Sequence, residues 1–140
     1  MKDSPQPLLA QLMQTLGAVE SRLESALEPV GLSLARYKAL SQLSRAEEPL
    51  PLGMLADRFA CVRSNITQLV DRLEAEGLVV RTFDPEDRRR VRAELTATGR
   101  ARYAAGVKAL NAAEQALFAP LKKQQREGLL AALELLRDEA

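Results

Sequence analysis

Apolar residues recur at steps of three and four from Leu8 to Leu27, through Leu9, Leu12, Met13, Leu16, Val19 and Leu23. That spacing lays one apolar stripe along a helix. Pro5 and Pro7 precede the stripe, and Pro29 with Gly31 ends it. Ser33 suits the N-cap of a second helix, with Leu34, Tyr37, Leu40 and Leu43 on one face. The segment "RAEEPLPLG" breaks that helix at about Arg45. A short helix over Leu52 to Ala60 follows, apolar at Leu55, Ala56 and Phe59. In "CVRSNITQLVDRLEAEG" the residues Ile66, Leu69, Val70 and Leu73 again share a face, and Gly77 stands where a C-terminal cap belongs. Two short helices with a tight break, the second polar at its start, make a helix-turn-helix pattern.

The period then changes to two. "LVVRTF" predicts a strand, "DPEDRR" a turn and "RVRAEL" a returning strand. In the second strand Val91, Ala93 and Leu95 alternate with Arg90, Arg92 and Glu94, which marks one buried and one wet face. The first strand alternates poorly. Thr96 caps a long helix to about Phe118, Pro120 interrupts, and a last helix carries Leu121, Leu129, Leu130, Leu133 and Leu136. The expected fold is mainly α: six helices with one small β-hairpin, in a single domain over residues 1–140.

Composition narrows the chemistry. Leu and Ala dominate and aromatics are 4%, which agrees with a helical chain. There is no histidine and one cysteine, so no zinc site of Cys and His, no intrachain disulfide and no His-based nucleophilic mechanism can be assembled. No Gly-rich phosphate loop or metal cluster appears, and no cofactor is implied. The lone cysteine, the lack of a long apolar run and the lack of a signal-peptide pattern point to a cytoplasmic protein without a membrane partner.

The net charge of +1 hides an uneven distribution. Arg88, Arg89, Arg90, Arg92, Arg100 and Arg102 fall in one stretch against the single Glu94, directly behind Asp84, Glu86 and Asp87. Basic density on a turn is an electrostatic footprint for nucleic acid. Pro85 fixes φ for the turn, and Asp84 can bond back to the backbone. An arginine at such a tip can enter a narrow minor groove. Charges that protect an edge strand are the alternative, which suits one or two charges better than a cluster.

The pieces "LADRF", "NITQLVDRLEAEGLVVR", "DPEDRR" and "ELTATG", in that order and spacing, resemble the MarR family of winged helix-turn-helix regulators. The resemblance is firm from Leu50 to Gly99, and "GLSLARYKAL" is similar to that family's second helix. It implies a DNA-binding lobe over residues 31–99, a recognition helix that offers Arg63, Ser64, Asn65, Thr67 and Gln68 to base edges, and wing contacts from Arg88, Arg89 and Arg90. Arg suits guanine, Asn and Gln suit adenine, and Thr can offer its methyl to thymine. Asp84 and Asp87 match the family's acid-x-x-acid pattern and are expected to brace one arginine so that another projects. For Arg72 two readings compete: a phosphate contact, or an intrahelical pair with Glu76.

The resemblance further implies a homodimer built from residues 1–30 and 100–140. Leu9, Leu12, Leu16, Leu117, Leu121, Leu129, Leu133 and Leu136 are the candidate contacts. It implies repression at a pseudo-palindromic duplex and release by a small aromatic or phenolic effector. Arg36 and Tyr37 could meet a carboxylate and a ring, although the same spacing puts Tyr37 in the core and Arg36 in solvent. Cys61 near a helix start can be an oxidisable thiol or simply a small residue that fills space. An enzyme is disfavoured because the remaining carboxylates sit beside arginines, which keeps them poor acids. A helical module for protein contacts would not need the basic turn.

Overall fold

The computed structural model describes residues 6–59 and 63–138, and of Arg63 and Ser64 the backbone alone. Helix α1 runs Pro7–Leu27 and closes through a 3-10 turn, Glu28–Val30. Gly31 ends the turn at φ 75°, a left-handed conformation that favours glycine. The remaining elements are α2 (Leu34–Arg45), β1 (Leu50–Pro51), α3 (Leu52–Arg58), α4 (Arg63–Ala75), β2 (Val79–Phe83), β3 (Val91–Leu95), α5 (Ala97–Phe118) and α6 (Lys123–Asp138). The six helices and the hairpin among the described residues are those the periodicity predicts.

Three details differ from expectation. A two-residue strand, β1, joins the hairpin to give an antiparallel sheet of order β1-β3-β2, pairing Leu50 with Ala93 and Pro51 with Arg92. Two residues carry no period, so pattern alone cannot see such a strand. Helix α3 stops at Arg58, with Phe59 closing it, earlier than Ala60. Leu121 lies between α5 and α6 rather than inside the last helix.

The core gathers the apolar stripes of the central elements. Leu27, Leu40, Leu55, Ile66, Val70, Leu73, Leu78, Val79 and Ala93 are fully or almost fully buried. On β3, Ala93 and Leu95 are buried and Val91 half-buried, as the alternation predicts. Arg92 and Glu94 are half-buried rather than wet, because β3 is the central strand with a neighbour along each edge.

Two joints fix the central lobe. At the end of α4, Gly77 donates to the Glu74 carbonyl (2.9 Å) and Leu78 to the Leu73 carbonyl (2.9 Å). This is a Schellman closure, with Gly77 at φ 75°. At the start of α5, the Thr96 hydroxyl accepts from the Gly99 amide (2.9 Å) and donates to the Gly77 carbonyl (2.6 Å). The Thr96 amide donates to the Leu78 carbonyl (3.1 Å). One threonine thus caps α5 and ties it to the end of α4.

The outer helices differ from the core. Helix α6 has no buried residue and packs substantially against no other element of its own chain. Leu129, Leu130, Leu133, Leu135 and Leu136 are exposed on it, and Leu8, Leu9, Leu12, Met13 and Leu16 are exposed on α1. Leu117 and Leu121 are half-buried. Among the described residues no helix is long and apolar enough to cross a membrane.

Candidate nucleic-acid interface

Helix α4 divides by face. Ile66, Val70 and Leu73 are buried and Leu69 is half-buried, so this stripe anchors the helix on the core. Asn65, Thr67, Gln68 and Arg72 are exposed. The side chains of Arg63 and Ser64, and all of Cys61, lie outside the described residues. Arg72 is not paired with Glu76: that carboxylate binds the Arg36 guanidinium from α2 instead, at 2.8 Å. The cross-helix pair leaves Arg72 exposed, without a polar partner among the described residues. Tyr37 stacks on Tyr103 with ring centroids 5.4 Å apart, packed against the core. Burial, then Tyr103 beside it, raises the Tyr37 pKa above its ordinary value.

The wing turn is tightly bonded. The Asp84 amide donates to the Arg90 carbonyl (3.1 Å) and the Arg90 amide to the Asp87 carbonyl (2.9 Å). The Asp84 carboxylate accepts from the Glu86 amide (2.9 Å), an Asx turn. The Asp87 carboxylate accepts from the Arg89 amide (3.0 Å) and from Arg89 Nε (3.2 Å). Those two bonds hold the Asp87 carboxyl below its ordinary pKa, the side-chain bond first. Arg90 lies 3.8 Å from the other Asp84 oxygen. The two aspartates therefore take one arginine each, and Arg88 stays exposed with no polar partner among the described residues.

The wing and α4 flank one cleft of about 490 Å³. Ile66 and Thr67 line it from α4, Arg89 and Arg90 from the wing, and Met54 and Asp57 from α3. Residues that sequence spacing put on separate elements thus face one space. Pattern reasoning missed Arg81 on β2. Its guanidinium reaches Glu74 (2.8 Å), Asp71 (2.5 Å) and the Thr67 carbonyl (3.4 Å), all on α4. Helix and strand periods give no rule that pairs residues ten and seven apart across a turn. The only available signal was that Asp71 and Glu74 share one side of the helix. A second cavity, of about 500 Å³, lies between α1, α2 and α4. Leu34, Ala35, Phe59, Ile66 and Leu69 line it, with Glu20, Lys38 and Asn65 around them.

A family model described as the MarR family matches residues 30–90. The uncharacterised HTH-type transcriptional regulator YkoM of Bacillus subtilis (strain 168) is 38% identical over 61 residues, 44% of this chain and 40% of the relative. The chain thus matches under half the length of the curated relatives. Solved structures match almost end to end. The transcriptional repressor CouR bound to a 23-mer DNA duplex is 27% identical with a TM-score of 0.84, covering 96% of this chain and 99% of that one. CouR from Rhodococcus jostii RHA1 bound to p-coumaroyl-CoA is 28% identical with a TM-score of 0.78, covering 94% and 92%.

Proposed function

We propose that the chain is a member of the MarR family, whose model matches residues 30–90, and that it is a cytoplasmic transcriptional repressor that binds a pseudo-palindromic DNA duplex as a homodimer and leaves it when a small aromatic or phenolic effector binds. One observation carries the DNA reading: Thr67, on the exposed polar side of α4, and Arg89 and Arg90 of the wing line the same cleft. Asn65, Thr67, Gln68 and Arg72, with Arg63 and Ser64 at the helix start, read base edges and hold phosphate. Arg88 enters the minor groove, and Arg89 and Arg90, held by Asp87 and Asp84, hold the backbone. A guanidinium fixed before docking loses less entropy on binding. CouR, similar over nearly the whole chain, is a repressor with a structure on DNA.

The dimer reading rests on α6. A 16-residue helix with an uncovered apolar face is marginal alone in water. A second copy that covers Leu129, Leu133 and Leu136, together with Leu9, Leu12 and Leu16 of α1 and with Leu117 and Leu121, removes that exposure. Residues 1–30 and 100–140 then join two lobes, each spanning residues 31–99, and set the distance between recognition helices. The effector reading rests on the second cavity, whose apolar walls and Lys38 suit a ring with an acidic group. An effector there selects a helix spacing that fits DNA badly. CouR has a structure with p-coumaroyl-CoA bound.

Selection of duplexes from a random pool tests the proposal. Enriched sequences should carry inverted half-sites about one helical turn apart, roughly 10 base pairs. No enrichment overturns DNA recognition. Light scattering at micromolar concentration should give twice the 15.4 kDa chain mass, and a monomer overturns the dimer. Phenolic acids titrated onto the selected complex should release it.

A further inference from the structure

We infer that Arg81 is a positioning residue that makes the recognition helix and the wing dock on DNA as one rigid body. The inference rests on the DNA-binding reading above and adds a residue that itself faces neither groove. Arg81 sits in the middle of β2, the strand that leads into the wing turn, and its side chain is largely covered, at 22% exposure. Its guanidinium forks between two carboxylates of α4, Glu74 at 2.8 Å and Asp71 at 2.5 Å. Its amide also donates to Glu74, at 3.2 Å. A longer bond reaches the Thr67 carbonyl at 3.4 Å, within the polar start of the helix.

The geometry has two consequences. The planar fork fixes direction as well as distance, which a lysine ammonium does not. The helix and wing are two contact modules on one scaffold, so each raises the effective concentration of the other at its groove. A rigid link between them keeps that gain, and a loose link loses it. In addition, Asp71 and Glu74 would otherwise leave negative charge on a helix that approaches phosphate. Arg81 engages both carboxylates from the protein side and offsets one of the two charges.

A thermodynamic cycle on the full-length protein, with a selected duplex, separates these effects. Arg81→Met, Arg81→Lys, Arg88→Ala and the Arg81→Met/Arg88→Ala pair are compared for affinity across salt. Circular dichroism and thermal melting check that each variant folds. Arg81→Met should weaken binding by about tenfold or more, because the wing no longer arrives with the helix. Arg81→Lys should recover less than half of that loss on a logarithmic scale, since it keeps charge without the fork. In the Arg81→Met background, Arg88→Ala should cost markedly less than in wild type. Damage to stability alone would leave the Arg88 increment unchanged. Asp71→Asn/Glu74→Gln, which keeps Arg81 but removes its partners, should also bind more weakly. If that variant binds as tightly as wild type, Arg81 serves only to cancel charge and the inference fails. If Arg81→Met binds as wild type does, or the Arg88 increment is the same in both backgrounds, the inference fails. Wild type that binds no duplex would instead overturn the reading beneath it.

Discussion

Gly99→Ala is predicted to destabilise the protein, although helix propensity alone predicts the reverse. Alanine exceeds glycine in a helix by about 1 kcal/mol, and Gly99 lies in the first turn of α5. A Cβ built there would lie 1.9 Å from the Leu78 carbonyl oxygen and 2.9 Å from its carbonyl carbon. An ordinary carbon–oxygen contact is about 3.3 Å. The obstacle is backbone, so no side chain can rotate away. The start of α5 must separate from the end of α4, where the Thr96 amide and hydroxyl bond to Leu78 and Gly77. Overpacking of this kind costs about 1–3 kcal/mol, and each weakened hydrogen bond about 0.5–1.5 kcal/mol. The reduced freedom of the unfolded chain returns about 0.4–1 kcal/mol. The balance is a loss of about 2–3 kcal/mol. For a chain of this size that lowers Tm by roughly 6–15 °C. Thermal unfolding followed at 222 nm measures it, at one fixed protein concentration because dimerisation shifts Tm. A Tm within about 2 °C of wild type, or above it, refutes the steric argument.

Other perturbations probe the remaining features. Arg88→Ala should reduce the slope of log affinity against log salt by about 0.9 per wing, because one phosphate-range charge is lost; an unchanged slope removes Arg88 from the contact. Leu129→Glu with Leu133→Glu should yield a monomer by sedimentation velocity with its helical content retained, since α6 packs substantially against no other described element of its own chain; a persisting dimer would place the interface elsewhere. Asp87 is held below the ordinary aspartate pKa of about 3.9 by Arg89. Its share of wing order is therefore complete above that value and is lost as pH falls through the depressed one. Carboxyl NMR should find the midpoint below 3.9, rising toward it in Arg89→Ala, and an equal midpoint in both proteins would deny the bond its effect.

Much of this fold was legible because it is written in periods. Ile66, Val70 and Leu73 repeat at helical spacing and are buried. Val91, Ala93 and Leu95 alternate, and the alternation points inward. Thr96 and Gly77 announced a cap and a stop, and both occupy those positions. The illegible parts are those made by pairing between elements. Read along the chain, Asp71, Glu74 and Glu76 surround Arg72 and suggest an ion pair within the helix. In space, Glu76 belongs to Arg36 on α2, and Asp71 and Glu74 belong to Arg81 on β2. Charge in sequence therefore gave the right inventory and the wrong partners. The same exchange alters the view of net charge. Three acids that seem to oppose DNA binding by α4 are occupied by arginines from other elements. Two aspartates take two arginines of the wing, which leaves Arg88 without a polar partner among the described residues. A nearly neutral chain can present a basic surface because pairing, rather than composition, decides which charges face outward.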